Sequence, residues 1–370
     1  MITTHWVKPP NQATGQDHLA TRAVCEHLYG LLLPGITNVT DRARYYSFYP
    51  WLLWSLETSG VSLASDVVVD YVRRAECLFA LVGIAHGHAA GADGRMHGDR
   101  LVGSVTLGPV VEHLRSAGGE VRLSDYAHQD ENRANTRYFL NPLGGLGQYY
   151  RGSLELLGVL SRDVAKGVKV GYTAERGSYL AEAMDVGVDR SAFFDILRRD
   201  RVDWAALDAL AEFCPCHLSP GSREHGTLVD LFTQRPGTVF APDSRGHEER
   251  RLSLGLILDL AGRPDSGEPS AARVLDVERF RSGVYSGALP DGSTWSLPPA
   301  LEAMRLHWAQ YQRNELLSLA AQGLFWAALT DSRRQDPLVG ASAWGDWMSS
   351  RYAATIESRE VVYERLSVRS

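Results

Sequence analysis

The sequence predicts a mainly α, multi-helical fold, with two or three packed helical units and few short strands. Apolar residues recur at helical spacing between residues 17 and 33, and most strongly between residues 299 and 329. Runs with strand character are scarce, and the best of them, at 121–123 and 361–363, are short. At 370 residues and 44% hydrophobic, the chain is long and apolar enough to bury a sizeable core.

The first helix is expected to end at Pro34-Gly35, because this pair provides a stop signal. A second helix is expected over residues 42–54, with a kink or a new start at Pro50, which lacks a backbone N–H. A third should begin at the capping pair Ser65-Asp66 and end at His86, where a loop rich in glycine and histidine is expected to run to Asp99.

The remaining elements follow from apolar spacing and capping residues. Short helices are expected at 106–115, 149–160, 203–213 and 252–260. The double proline at 298–299 should introduce one long helix, apolar on most sides after Leu316 and therefore central to the C-terminal part. Turn-rich segments suggest units at 1–119, 120–270 and 271–370.

Charge and hydropathy narrow the possible classes of protein. The formal net charge of -6 disfavours a chain that coats nucleic acid over its whole surface, although a local basic patch remains compatible with it. No apolar run reaches the length of a membrane-spanning helix, so we expect no membrane association. The N-terminal sequence lacks the pattern of a secretory leader, which favours the cytoplasm.

The four cysteines do not form the pattern of a disulfide framework in a chain of this length. Cys25 and Cys77 lie in apolar helical stretches and are expected to be small core residues. The sequence Cys214-Pro-Cys216-His217 could ligate zinc, but structural zinc sites usually add a second pair of ligands, and no second cysteine pair exists. Packing near a helix end is therefore the favoured interpretation of this cluster.

The segment 42–54 combines arginines with aromatic residues. Guanidinium groups neutralise phosphates and aromatic faces stack on unpaired bases, as in proteins that bind single strands. Aromatic residues also dominate cores and protein interfaces, and packing or a partner interface is the favoured alternative. The candidate residues for binding nucleic acid or a partner are Arg42, Arg44, Tyr45, Tyr46, Tyr49 and Trp51.

The expected loop after the third helix contains His86, His88, His97 and Asp99. Imidazoles and a carboxylate are common ligands of a catalytic zinc or manganese ion, which makes these four residues weak candidates for a metal site. Because nothing in the sequence fixes them relative to one another, a variable surface insertion is the favoured interpretation. No catalytic residue and no cofactor is assigned.

Two further segments could support a site. The glycines of the segment 137–153 could let the backbone approach a phosphate at the start of a helix, although a tightly docked loop is favoured. In the segment 311–315, Glu315 could be a catalytic carboxylate, but a polar network or an interface is favoured. The chain lacks the common hydrolase, kinase and metalloprotease motifs.

The blocks at 42–51, 141–150 and 311–315 resemble blocks in uncharacterised bacterial proteins of similar length from anti-phage defence or mobile-element loci. This resemblance implies a non-catalytic subunit of a multi-protein system for anti-phage or anti-plasmid defence. Such a subunit would bind a protein partner, an ATPase or a nuclease, and could also bind DNA. The alternative, carried by the histidine-containing loop, is a metal-dependent hydrolase, most plausibly a nuclease.

Overall fold

The computed structural model describes residues 21–64, 66–90, 97–134, 136–164, 168–241, 248–263, 277–289 and 292–332. Within these ranges it contains thirteen α-helices and one two-stranded sheet, so the expected mainly α, multi-helical fold is confirmed. The candidate strand at 361–363 lies outside the described residues. None of the helices in the described ranges combines the length and the hydropathy that crossing a bilayer requires.

The thirteen α-helices of the described residues are numbered in chain order. They are α1 (Thr21–Leu32), α2 (Tyr45–Thr58), α3 (Val67–Ala90), α4 (Ser104–Ala117), α5 (Ser124–Ala127), α6 (Arg151–Leu156), α7 (Arg176–Asp185), α8 (Arg190–Arg199), α9 (Trp204–Ala209), α10 (Arg223–Thr233), α11 (Glu248–Gly262), α12 (Val277–Ser286) and α13 (Pro299–Ser332).

The sheet joins two distant parts of the chain. Strand β1 (Glu120–Arg122) pairs antiparallel with β2 (Arg201–Asp203), and Val121 lies opposite Val202. The Val202 side chain is buried, whereas its two neighbours in β2 are exposed. The strand expected at 121–123 is thus present one residue earlier, and it connects the end of α4 to the end of α8.

The larger core surrounds α2 and α3, both of which are buried along most of their length. Phe48 of α2 packs against Phe79 of α3, with ring centroids 4.3 Å apart. Helix α2 runs without interruption across Pro50, so no new helix begins at this residue, and a kink there stays a prediction. The larger core includes buried residues from Tyr45 to Phe240.

A smaller core lies between α1, α11, α12 and α13. Trp308 of α13 donates its indole N–H to the Ser253 hydroxyl of α11 at 2.9 Å, and Ser253 in turn donates to the Leu32 carbonyl at 2.6 Å. After Leu316, however, α13 is not the buried central helix that its apolar sequence predicts, because Leu317 is 68% exposed and Trp326 is 55% exposed. The division into units at 119 and 270 stays a prediction.

Candidate metal centre

The arginine and aromatic segment lies in the interior of the protein. The side chains of Tyr45, Tyr46, Tyr49 and Trp51 are almost completely buried, and Arg44 is 2% exposed. These side chains therefore do not lie at the surface, and their role in binding a nucleic acid or a partner stays a prediction. Burial of four large aromatic side chains contributes strongly to the core, as the alternative interpretation predicted.

The polar atoms of this segment bond inside the protein. The Arg44 guanidinium donates to both carboxylate oxygens of Glu224, at 3.1 and 2.9 Å, and to the carbonyl of Cys214 at 2.6 Å. Arg42 is partly buried and donates to the Asp99 carbonyl at 2.9 Å. Both arginines thus fix loops to the start of α2, and Arg44 reaches the segment that carries the two neighbouring cysteines.

Two of the histidines expected in a loop belong to a helix. Helix α3 continues to Ala90, so His86 and His88 lie in its last two turns, and the expected end of the helix at His86 is wrong. His97 follows after residues 91–96, which are outside the described ranges, and its side chain is 5% exposed. His86 and His97 meet edge to face, with ring centroids 4.8 Å apart.

The cysteines lie on a tight turn formed by two successive short 3₁₀ segments, Ala211–Phe213 and Pro215–His217, the second of which contains Cys216. Cys214 is the residue between these segments, and its N–H donates to the Ala211 carbonyl at 2.9 Å. Its carbonyl accepts from the N–H of His217, also at 2.9 Å. The turn directs both thiols toward the end of α3, so the favoured interpretation of this cluster as packing alone omitted its histidine neighbours.

Four ligand-type side chains converge at this point. One donor atom from each of His86, His97, Cys214 and Cys216 lies within 4.8 Å of the other three. Cys214 Sγ is 3.5 Å from His97 Nδ1, and Cys216 Sγ is 3.3 Å from His86 Nδ1. In a tetrahedral zinc site the usual bond lengths place a sulfur and a nitrogen ligand about 3.5 Å apart. Both pairs therefore already have the separation of zinc ligands.

Small residues on α3 allow the three segments to approach. Gly83 and Gly87 are one turn apart, and a Cβ built on Gly87 would lie 3.0 Å from Cβ of His97. A Cβ on Gly83 would lie 2.5 Å from a Leu101 methyl group and 3.5 Å from Cδ of Pro215. The glycines thus form a groove on α3 that receives the turn carrying the cysteines and the segment that begins at His97.

The thiols lie in different environments. Cys214 is fully buried, and this burial raises the pKa of its thiol to about 12. The nearby backbone N–H of Cys216 lowers that pKa, because a donor close to the sulfur favours the thiolate. Cys216 itself is only partly buried. A bound cation would stabilise both thiolates far more strongly than one N–H donor does.

The other two candidate ligands from the sequence do not join the cluster. His88 is exposed, and its Nε2 lies 3.8 Å from a carboxylate oxygen of Glu112 in α4. Asp99 is exposed as well, and it contributes its backbone carbonyl to Arg42. The set of four predicted from sequence thus divides into two residues at the centre, His86 and His97, and two outside it.

The glycine-rich segment 137–153 binds a carboxylate of the protein itself, that of Glu76. The N–H groups of Gly145 and Leu146 donate to the buried carboxylate of Glu76, at 2.9 and 2.7 Å. Tyr49 and Tyr138 donate their hydroxyls to the same carboxylate, at 2.8 and 2.6 Å. Burial raises the pKa of Glu76, and the four donors oppose that shift. The favoured interpretation as a docked loop matches this arrangement.

Glu315, the other carboxylate considered from sequence, lies near the smaller core. Its Oε2 accepts from Arg281 of α12 at 3.4 Å, in a partly exposed ion pair. The pair connects α12 to α13, as expected for a polar contact between helices.

Comparisons with protein-family models, with curated proteins and with solved structures found no match for this chain.

Proposed function

We propose that the protein binds one zinc ion through His86, His97, Cys214 and Cys216, and that this ion stabilises the fold. The observation that carries the proposal is the convergence of four donor atoms within 4.8 Å of one another. The donors come from three separate segments, which such an ion would hold together.

The chemistry of the donors favours zinc over other cations. Thiolates are soft ligands that calcium and magnesium disfavour, whereas two thiolates and two imidazoles form one of the common zinc sets. Zinc also has a filled d shell, which gives it no electronic preference for another geometry, and it readily adopts a tetrahedral arrangement. The sulfur-to-nitrogen separations of 3.5 and 3.3 Å fit that arrangement.

The number of donors favours a structural ion over a catalytic one. Catalytic zinc usually has three protein ligands and keeps a position for water, whereas four protein ligands complete the tetrahedron. The hydrolase alternative, with His88 and Asp99 as ligands, would require both to turn toward the centre, and His88 instead lies beside Glu112. The structural ion therefore has the better support.

We further propose that the chain is a non-catalytic subunit of a multi-protein bacterial system, one that acts in anti-phage or anti-plasmid defence. Its support is the resemblance of the blocks at 42–51, 141–150 and 311–315 to proteins of such loci. Leu317 and Leu324 of α13 are exposed and lie two turns apart on one face of the helix, and we propose this face as the surface for a protein partner. The arginine and aromatic segment is buried, so it gives no support to the binding of DNA.

Metal analysis of the untagged protein tests the zinc proposal. We expect close to one zinc per chain in the wild type and a large loss in Cys214→Ser and His97→Ala. His88→Ala is the matched histidine control, and Cys25→Ser is the matched cysteine control; both should retain one equivalent. Zinc well below one equivalent in the wild type, or its loss in His88→Ala, would contradict the assignment of ligands.

Capture of partners tests the proposed subunit role. The wild-type chain and a Leu317→Glu, Leu324→Glu double variant would be used as bait in a bacterial host that carries the native locus. We expect the wild type to retain a discrete protein and the double variant to lose it while keeping its zinc. Metal-dependent cleavage of DNA by the purified wild type, abolished in His88→Ala, would instead support the hydrolase.

A further inference from the structure

We propose that the metal centre is a peroxide-sensitive switch, in which oxidation of Cys214 and Cys216 to a disulfide releases the zinc ion. This inference rests on the proposed zinc site, because it concerns what happens to two of the four ligands. The motivating observation is that both sulfur donors belong to one turn, with a single proline between them.

The turn places the sulfurs close enough for a disulfide. Two residues that are separated by one position in a 3₁₀ turn have Cα atoms about 5 to 6 Å apart, within the range that disulfides span. The two Sγ atoms lie within 4.8 Å of one another. A rotation of side chains can therefore join them, without movement of a helix.

Unequal exposure sets the order of the steps. Cys216 is partly exposed, whereas Cys214 is fully buried, so a small oxidant reaches Cys216 first. The remaining cysteines are poor competitors: Cys77 is fully buried in α3, and burial raises the pKa of its thiol. Cys25 is 7% exposed and lies in α1, which belongs to the smaller core.

The reaction balances with hydrogen peroxide as the oxidant. The Cys216 sulfur attacks one peroxide oxygen, the O–O bond breaks, and after uptake of a proton the other oxygen leaves as water. Cys214 Sγ then attacks the sulfenic sulfur of Cys216, the S–O bond breaks, and the second oxygen leaves as water after uptake of another proton. Two thiolates, one peroxide and two protons give one disulfide and two waters.

Loss of the thiolates removes half of the ligands. A disulfide sulfur is a poor ligand for zinc, since the thiolate is the form that binds the metal. Only His86 and His97 would remain, both from the α3 side of the centre. The turn at 214–217 would then be attached to the core through Arg44 and the packing of Pro215 on Gly83.

The test uses the full-length, zinc-loaded protein and stoichiometric hydrogen peroxide. Released zinc would be measured with a colorimetric indicator, and free thiols would be counted in denaturant before and after oxidation. We expect loss of nearly one zinc per chain, a fall from four free thiols to two, and recovery of zinc binding after a dithiol reductant and added zinc. Peptide mapping should place the disulfide between Cys214 and Cys216.

Cys25→Ser is the matched variant, because it keeps both cysteines of the proposed zinc site. Cys25→Ser should release zinc at the wild-type rate, with a fall from three free thiols to one. Zinc retained after Cys216 is oxidised, a disulfide that involves Cys25 or Cys77, or irreversible release through sulfinic acid would overturn the switch and leave the zinc site intact. Absence of zinc before peroxide is added would instead refute the zinc site itself.

Discussion

Three buried charged side chains tie loops to the helices of the larger core. Glu76 accepts four hydrogen bonds, Arg44 pairs with Glu224, and Arg73 donates to the carbonyls of His128, Phe139 and Asn141. A buried charge costs several kcal/mol unless it is paired and hydrogen-bonded. Each of these residues should therefore be sensitive even to a conservative substitution.

Glu76→Gln tests this sensitivity at a carboxylate. All four partners of Glu76 donate, so an amide would direct its own N–H group at a fixed backbone donor, Gly145 or Leu146. We expect a loss of about 2–4 kcal/mol in the free energy of unfolding, measured by urea titration. Glu112→Gln on the exposed surface of α4 is the control and should unfold close to wild type. Equal stability of the two variants would show that the network contributes little.

Arg44→Ala tests whether the arginine at the start of α2 is structural. Its removal leaves the Glu224 carboxylate buried without its cation, which should cost about 3–5 kcal/mol. Thermal unfolding should therefore occur at a markedly lower temperature than in Arg122→Ala, where the arginine is 56% exposed. A stable Arg44→Ala protein would indicate that the ion pair is dispensable.

At the residue scale, the sequence shows which side chains could bind a metal ion, but it does not show which of them lie close together in the fold. His86, His97, Cys214 and Cys216 are all recognisable as potential ligands. The sequence alone does not place them in one site, because Cys216 lies 130 positions from His86 and Cys214 lies 117 positions from His97. The missing signal was the histidine pair itself, which supplies the second pair of ligands that the cysteine pair lacked.

At the element scale, α3 organises the centre. It carries His86 near its end, and Gly83 and Gly87 form the surface against which the other segments pack. Helical periodicity located this element well because its apolar residues pack on one core. Its end was misplaced because glycine and histidine suggested a loop, whereas packing of the glycine surface keeps the helix intact to Ala90.

Gly87→Ala should weaken zinc binding. The added methyl would lie 3.0 Å from Cβ of His97, so either the helix or the histidine must shift. We expect about a tenfold loss of zinc affinity, as is typical when the support of a ligand is disturbed. Affinity would be measured by competition with a colorimetric chelator. Gly108→Ala in α4 is the control, because a Cβ there meets nothing within 4 Å; equal effects in both variants would argue against the packing role.

At the scale of the whole molecule, the proposed metal centre would join the end of α3 to a turn far along the chain. Contacts between residues so far apart depend on the complete fold, and periodicity in a single sequence cannot specify them. The same limit explains why the prediction for α13 is wrong. Its apolar sequence after Leu316 predicts a buried helix, whereas Leu317 and Trp326 are exposed. Fold class depends on local patterns, and these were sufficient to predict it.

Removal of zinc should lower the stability of the whole chain. An ion that binds only the folded state stabilises it by about 4 kcal/mol when its free concentration is 1,000 times Kd. We expect a strong chelator to lower Tm by several degrees and to speed proteolysis near 214–217. The Cys214→Ser, Cys216→Ser double variant should show a lower Tm that the chelator no longer changes. An identical shift in the double variant would mean that the chelator acts elsewhere.

The separation of the ligands along the chain also affects biosynthesis. Cys214 leaves the ribosome 117 residues after His97, a delay of roughly 6 to 23 seconds at ordinary rates of translation. During that interval the proposed centre has only the imidazoles of His86 and His97, which hold zinc weakly. Completion of the centre would therefore come before the larger core can close, because that core also needs Leu228, Leu231 and Phe240, and metal starvation should expose growing chains to proteases before it affects finished ones.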